Sequence, residues 1–438
     1  MVGQRGWPRV VVLCCVVAPA CGDDVGTGTG DGSSSDGGDT TFASADVSGP
    51  SGSASATSGP TATATATTVD PDSSGGSGSS GVEGSSSGGE LDPFGPPQAH
   101  ALAIDFDPLA LALGDFDGDG VLDLLVTGTQ GGVVAAATLQ GDGAGGFGDP
   151  IDATVPACSA FPVVGAIDDD GIDDLFYGTC DAQGVFARGN GDGTFSPADV
   201  IASWTSGALR SSRFADFDGD DRDDLVMLTV DAGGDGVQLH LALATDDATP
   251  WPISSTTLAT PPGFEPAGLE LAQVDGSAAV DVVLVDDGAL GVVRSVAGPG
   301  WSPLEVLSES VAPFSIDAAD IDASGTDELL VTSRADHALQ PLLRIDGAYV
   351  AQAAFDLPSA PFDAAIGGHA DAIGVVLEDL PTLSTLRIDT TSAIVSTGSH
   401  DLDAPAVRLL AGDLDGDGDD DLVAATFAAG SVTVLLAQ

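Results

Sequence analysis

An acidic ten-residue segment recurs along this chain at a nearly constant spacing, and this recurrence limits the fold more than any other feature. Two intact copies begin at Asp115 and Asp413 and share the pattern Asp-x-Asp-Gly-Asp-Gly-x-x-Asp-Leu. A third copy, at Asp216, differs only at its second glycine, and a fourth, at Asp320, has Ser and Glu at two of the acidic positions. Each copy therefore places an oxygen-bearing side chain at positions 1, 3, 5 and 9 of a short loop.

Three decayed copies fill the intervals between these four. The copy at Ala166 lacks the first carboxylate, the copy at Gln273 keeps a partial set, and around Ala365 the motif is lost. The seven starting positions are separated by 51, 50, 57, 47, 45 and 48 residues. This period is typical of β-propeller blades.

A large apolar residue precedes each copy by 16 to 22 positions, and we interpret these residues as core anchors between neighbouring units: Phe94, Phe147, Phe195, Trp251, Trp301, Tyr349 and Ile394. Short β-rich runs flank every loop, and no segment has a convincing helical period. The sequence therefore predicts an all-β fold, a seven-bladed β-propeller with four-stranded antiparallel blades.

The two ends of the repeat region complement one another. After the last loop only two strand-like runs remain, at 421–427 and 431–437, whereas a surplus segment at 94–106 precedes the first loop. We predict that this surplus segment supplies the missing strand of the last blade. Such an exchange closes the ring and removes an exposed sheet edge.

The first 20 residues have the pattern of an export signal, because Arg5 and Arg9 precede an apolar run that is too short to span a bilayer. The sequence Ala-Pro-Ala-Cys that ends at Cys21 resembles the lipobox of bacterial lipoproteins. That resemblance implies a lipid on Cys21 and attachment to the outer membrane or the cell surface. The alternative is an ordinary signal cleaved near Ala20, which would leave Cys21 as a free thiol.

Residues 21–91 are rich in Gly, Ser and Thr and have no hydrophobic period, so they predict a disordered tether with a reach of about 45 Å. The propeller is expected over residues 92–438. Only Cys158 and Cys180 then remain in the exported domain, and both lie within the second repeat. We predict a disulfide between them.

The charge of the chain excludes some partners and requires others. There are 67 acidic and 11 basic residues, for a net charge of −56, while 43% of the residues are apolar. A core can therefore form, but no basic patch can, which excludes nucleic acid and anionic membrane surfaces as ligands. Contact with a membrane is expected only through the lipid anchor. Where carboxylates converge, cations are needed.

The Phe-Gly openings and the sevenfold series of acidic loops resemble the FG-GAP (VCBS-type) repeats of integrin α-subunit propellers and their bacterial relatives. The resemblance covers residues 92–438, everything after the tether. It implies calcium in the intact loops and makes a protein ligand the expected partner.

The chemistry of the loops favours calcium independently, because calcium takes six to eight hard oxygen ligands. Side chains at positions 1, 3, 5 and 9 and the carbonyl at position 7 can supply them. This predicts about four Ca²⁺ sites, with these ligands: Asp115, Asp117, Asp119, Val121 and Asp123; Asp216, Asp218, Asp220, Arg222 and Asp224; Asp320, Asp322, Ser324, Thr326 and Glu328; Asp413, Asp415, Asp417, Asp419 and Asp421. A weaker site is expected at Asp168, Asp170 and Asp174.

No catalytic constellation emerges from the sequence. The five histidines are dispersed, and neither a phosphate-binding loop nor a dinucleotide fingerprint is present. We therefore expect a non-enzymatic, monomeric binding or adhesion module for an extracellular or periplasmic protein. The alternative is a carbohydrate-binding propeller, or one that acts as a polysaccharide hydrolase or lyase, and a third option is a structural lipoprotein without a ligand. With four Trp and two Tyr, the chain is poor in the aromatic residues that bind sugars, which favours the protein ligand.

Overall fold

The computed structural model describes residues 92–438, apart from short gaps at 103–105, 155–158, 169, 180–181, 204–207, 221, 232–235, 245–250, 278, 287, 297–299, 308–311, 368–371, 390–392 and 428. The predictions for the signal, for Cys21 and for the tether lie outside the described residues, as does the disulfide between Cys158 and Cys180. Within the described part no helix is long and apolar enough to cross a membrane.

Seven antiparallel sheets follow one another along the described chain, and we number them as blades 1 to 7. The first strand, β1 (Gln98–Ala101), belongs to the last blade. Blades 1 to 3 consist of β2 (Phe106–Gly114), β3 (Asp123–Gln130), β4 (Val133–Leu139) and β5 (Ile151–Ala153); β6 (Ser159–Gly165), β7 (Asp174–Thr179), β8 (Gln183–Ala187) and β9 (Asp199–Ser203); and β10 (Ala208–Ala215), β11 (Asp224–Val230), β12 (Val237–Ala242) and β13 (Ile253–Leu258).

Blade 4 contains a small additional ribbon, and blade 5 has a split outer edge. The strands of blade 4 are β14 (Gly268–Ala272), β15 (Asp281–Asp286), β16 (Ala289–Val293) and β19 (Glu305–Val306), with the ribbon β17 (Ser295–Val296) and β18 (Gly300–Trp301). Those of blade 5 are β20 (Ser315–Ala319), β21 (Glu328–Ser333), β22 (Ala338–Ile345), β23 (Ala348–Ala351) and β24 (Phe355–Asp356).

The last two blades complete the ring. Blade 6 consists of β25 (Pro361–Gly367), β26 (Ala372–Leu377), β27 (Leu380–Ile388) and β28 (Ile394–Asp401). Blade 7 consists of β29 (Ala406–Gly412), β30 (Asp421–Thr426), β31 (Ser431–Leu435) and β1. The all-β, seven-bladed, four-stranded fold predicted from the sequence is therefore confirmed.

Ring closure follows from contacts between the first strands of the blades. β2, β6, β10, β14, β20, β25 and β29 each contact the next, and β29 contacts β2. The N-terminal strand β1 pairs antiparallel with β31, with Gln98 opposite Val434. An isolated bridge between Phe94 and Ala437 extends this pairing. The predicted exchange of a strand between the two chain ends is confirmed, and it covers the edge of β31.

The second strand of each blade is apolar on both faces because neighbouring blades cover both sides of it. All seven residues of β11, for example, are buried. Seven core clusters result, each formed by two adjacent blades. The anchor residues lie in them: Phe195 of blade 2 packs edge-on against Phe116 of blade 1 at 5.3 Å, and Trp301 packs against Phe217 at 5.6 Å. Their predicted role between blades is confirmed.

Candidate metal centres

Four acidic clusters form between the first and second strands of blades 1, 3, 5 and 7. In each cluster three carboxylates offer one oxygen apiece, and these oxygens lie within 4.8 Å of one another. The residues are Asp115, Asp117 and Asp123; Asp216, Asp218 and Asp224; Asp320, Asp322 and Glu328; and Asp413, Asp415 and Asp421. These four loops are the ones that the sequence singled out, and positions 1, 3 and 9 are the ones that converge.

The curvature of each loop depends on the first carboxylate and on backbone geometry. In blade 1 the carboxylate of Asp115 accepts the main-chain N–H groups of Gly118 and Gly120, at 2.7 and 2.8 Å. Both glycines have positive φ, +79° and +86°, a conformation that other residues adopt only with strain. In blade 5, Ala323 occupies the place of Gly118 with φ 56°. The acidic loop therefore curls around its first side chain.

The ninth-position carboxylate joins the loop to the blade. The carboxylate of Asp123 is buried, and it accepts the N–H of Phe116 at 2.9 Å and that of Gly141 at 2.8 Å. Asp224 and Asp421 accept equivalent pairs of bonds. One carboxylate thus fixes the start of the loop and the end of the third strand, and it holds an oxygen toward the first and third positions.

Burial makes these ninth-position carboxylates costly to ionise without a cation. Desolvation raises the pKa of Asp123, of Asp224 and of Asp421 to about 6, although the backbone hydrogen bonds lower it in part. The nearby acidic side chains of the same loop raise it further. A bound cation would remove this penalty, because it favours the ionised form.

The fifth-position side chain is not part of the convergent group. The carboxylate of Asp119 instead accepts the N–H of Val121 at 2.9 Å, and that of Asp417 accepts the N–H of Asp419 at 3.0 Å. In blade 5 the hydroxyl of Ser324 lies 2.9 Å from that of Thr326. The fifth side chain and the seventh carbonyl stay predicted ligands, while the geometry brings the other three positions together.

The decayed loops have a different arrangement. In blade 2 the Nε of Arg188 donates to Asp168 at 2.9 Å, and Asp174 is buried, which raises its pKa to about 7. Among the described residues Asp168, Asp170 and Asp174 do not form a convergent group. The loop of blade 6 lies in the undescribed stretch 368–371.

Sequence reasoning missed the acidic residue at position 8, immediately before the ninth-position carboxylate. Asp173, Asp223 and Asp327 each accept the main-chain N–H of the first loop residue in the preceding blade, at 2.8, 3.2 and 2.7 Å. The signal was present as repeated pairs of adjacent acidic residues, but nothing in the sequence assigns the two neighbours to different blades. The eighth position links blades, and the ninth position links strands.

The buried histidine His240 has a structural role. His240 lies within blade 3, between Thr229 at 2.8 Å and Ser255 at 2.7 Å. Burial lowers its pKa, so its ring is neutral at physiological pH. It satisfies neighbouring hydroxyls inside a sheet and faces no acidic cluster.

The fold and the site together define a seven-bladed β-propeller in which acidic loops of four blades could hold a metal ion. More particularly, the chain carries an FG-GAP-like repeat, whose family model matches residues 167–227, from the loop of blade 2 into β11 of blade 3. The sequence-based resemblance to this family is confirmed over that segment. No curated protein sequence matches the chain significantly.

Solved structures share the fold at low sequence identity. A lectin, BP39L from Burkholderia pseudomallei, is similar with a TM-score of 0.57 and 16% identity, covering 76% of this chain and 96% of the lectin. BBS1N in complex with ARL6DN gives 0.55 and 12%, covering 80% and 98%. The periplasmic gluconolactonase PpgL of Pseudomonas aeruginosa gives 0.51 and 17%, covering 68% and 86%. At these identities the likeness establishes the propeller architecture.

Proposed function

We propose that this chain is an exported, calcium-binding β-propeller that serves as a binding or adhesion module for a protein partner. The observation that carries the proposal is the convergence of three carboxylates in each of four loops. A module of this kind uses its metal ions to fix loops, and it presents the surface of a rigid ring to its partner.

Calcium suits these loops better than the other common divalent cations do. The donors are carboxylate oxygens, with hydroxyl and carbonyl oxygens nearby, and sulfur or imidazole ligands do not occur in the four clusters. Magnesium keeps several waters and demands an octahedral shell, whereas calcium accepts many protein oxygens in a flexible geometry. Four calcium ions would add a charge of about +8 to a chain whose net charge is −56, and would leave it strongly acidic.

The hydrogen bonds of the acidic groups support a binding role over a catalytic one. Asp123, Asp224 and Asp421 are bound by two backbone N–H groups each, and the eighth-position carboxylates hold neighbouring blades. These carboxylates are therefore committed to structure, and none is positioned as a free general acid or base. We propose attachment to the envelope through a lipid on Cys21, with the tether of residues 21–91 holding the propeller away from the membrane.

The experiment that tests this function is affinity capture from an envelope extract, with the purified propeller as bait in calcium and in excess EGTA. We expect a protein partner that is retained in calcium and lost in EGTA. The matched control bait is Asp123→Asn/Asp421→Asn, which weakens two of the four clusters and should retain less partner at equal protein concentration.

A glycan array and a panel of polysaccharides, used as ligands and as substrates, test the alternative. Calcium-dependent retention on a defined glycan without any protein partner would replace the proposed function with a carbohydrate-binding one, and polysaccharide cleavage would make the chain an enzyme. The anchor is tested separately with Cys21→Ser, which should release the protein from the membrane fraction.

A further inference from the structure

One position at the end of the third strand lies opposite the ninth loop position in every blade, and we call it the facing position. In six blades, a residue at the end of the third strand donates its main-chain N–H to the ninth-position carboxylate. The facing position is the residue immediately before this donor in the sequence. In blade 6, where the carboxylate is replaced by Ala372, it is the residue paired with Ala372 in the sheet. From blade 1 to blade 7 the facing residues are Gln140, Arg188, Leu243, Arg294, Leu343, Arg387 and Leu436.

The type of residue at the facing position correlates with whether the acidic loop is intact or decayed. Blades 1, 3, 5 and 7 have convergent acidic clusters and a neutral facing residue, Gln or Leu. Blades 2, 4 and 6 have decayed loops and an arginine at the facing position. The chain has only 11 basic residues, so three of them at this one position in these three blades make up a large share of its positive charge.

Blades 1 and 2 show that the facing side chain reaches the loop itself. In blade 1 the amide Nε2 of Gln140 donates to the carboxylate of Asp117 at 2.7 Å. In blade 2 the Nε of Arg188 donates to Asp168, the equivalent third-position carboxylate, at 2.9 Å. Both contacts end on the third-position carboxylate, but the second brings a permanent positive charge to the place where the intact loop gathers its carboxylates.

The other two arginines occupy the same strand position in blades 4 and 6. The guanidinium of Arg294 lies 2.7 Å from Glu305, and its charge contributes to lowering the pKa of Asp275, after the hydrogen bonds from Ser277. Arg387 is half-buried opposite Ala372, in the blade where alanine replaces the ninth-position carboxylate. The degree of loop decay thus differs among these blades, while the arginine is common to all three.

We propose that the facing residue determines whether a loop of this propeller takes a metal ion. A neutral residue leaves the acidic loop dependent on a divalent cation, and an arginine supplies a fixed guanidinium in place of that cation. From blade 1 to blade 7 the chain then alternates between exchangeable and built-in counter-charge, with the two metal-dependent blades 7 and 1 adjacent where the ring closes. Blades 2, 4 and 6 keep their shape when the metal is removed. This inference rests on the proposed binding of metal by the other four blades.

Matched substitutions at the facing position test the proposal, with bound calcium per chain measured by elemental analysis after gel filtration. Gln140→Leu, the residue present in blades 3, 5 and 7, should bind as much calcium as the wild type. Gln140→Arg should bind one ion fewer, and the double variant Ala166→Asp/Arg188→Leu should bind one ion more. Equal calcium content in Gln140→Arg and Gln140→Leu, with no gain in the double variant, would overturn the proposal.

A second measurement uses the unmodified protein and does not depend on a variant that folds. Hydrogen–deuterium exchange with and without EGTA should show faster exchange in the loops beginning at Asp115, Asp216, Asp320 and Asp413, and little change in those beginning at Ala166 and Gln273. Deprotection of all these loops alike would overturn the built-in counter-charge while leaving metal binding intact. A wild-type protein without any bound calcium would overturn the proposed function as well.

Discussion

The side-chain carboxylate of Asp173 in blade 2 accepts the main-chain N–H of Asp115 in blade 1 at 2.8 Å. The N–H of Asp173 donates back to the carbonyl of Asp115, also at 2.8 Å. Both main-chain groups of Asp115, the first residue of its acidic loop, are therefore hydrogen-bonded to Asp173 of the next blade. Asp327 and Gln273 make the same reciprocal pair between blades 5 and 4. Each pair links two blades next to a loop.

Substitution Asp173→Ala should destabilise the propeller by about 1–3 kcal/mol, because it leaves a half-buried backbone N–H without its acceptor. Asp173→Asn keeps an acceptor oxygen and should cost less. Urea unfolding followed by circular dichroism measures both, with the exposed Asp149→Ala as a control that should stay within about 0.5 kcal/mol of the wild type. Equal stability of Asp173→Ala and Asp149→Ala would argue against the inter-blade link.

Removal of metal should lower the melting temperature substantially. Without a cation, the converging carboxylates of the four clusters repel one another, and their buried members pay the cost of desolvation. Differential scanning calorimetry in calcium and in excess EGTA measures this, and calcium added back should restore the original curve. An unchanged melting curve in EGTA would contradict calcium binding by the loops.

Substitution Ala323→Gly should stabilise the protein by about 0.5–1 kcal/mol, because Ala323 has a left-handed conformation, with φ 56°, that glycine adopts without strain. The mirror substitution Gly118→Ala, at the same loop position of blade 1, should destabilise by about 1–2 kcal/mol. Thermal unfolding of both variants in calcium measures the pair. If the two substitutions shifted stability in the same direction, the conformational explanation would fail.

The protein stripped of calcium and kept in calcium-free buffer should become less stable as the pH rises from about 4 to about 7. Burial raises the pKa of Asp174 to about 7, and that of Asp281 and of Asp363 to about 6, from an ordinary value of 3.8. Between the two values the folded state holds more protons than the unfolded state, so the free energy of unfolding decreases with pH. Urea titrations at several pH values measure the slope.

Removing one of these groups tests the assignment of the pH dependence. Asp363 is buried and accepts N–H groups from Ala364 and Leu409, both at 3.1 Å. Asp363→Asn removes its titration, so the variant should show a flatter slope than the wild type between pH 4 and 7, whatever its absolute stability. A stability of the calcium-free protein that rises over this interval would contradict the raised pKa values.

Much of the candidate site was predictable because metal loops are local in sequence. Asp115, Asp117 and Asp123 lie within nine residues of one another, so their spacing alone fixes which oxygens a tight loop can gather. The fifth position is the exception: Asp119 bonds to the backbone of Val121, a local competition that spacing cannot resolve.

Contacts between blades were not predictable in the same way. Asp173 and Asp174 are adjacent, yet the first reaches back to blade 1 and the second holds its own loop. The facing arginines lie 20 or so residues after the starts of their loops, and the sequence alone does not pair Arg188 with Asp168.

The sequence by itself therefore determined the count of seven units, the strand exchanged between the chain ends and the four loops able to gather carboxylates, since each of these is written in spacing along the chain. Only the tertiary structure decided which carboxylate serves the loop, which one serves the neighbouring blade, and which loops face an arginine. The physical reason is that hydrogen bonds and charges act through space over a few ångströms, and the closed ring places residues tens of positions apart within that distance.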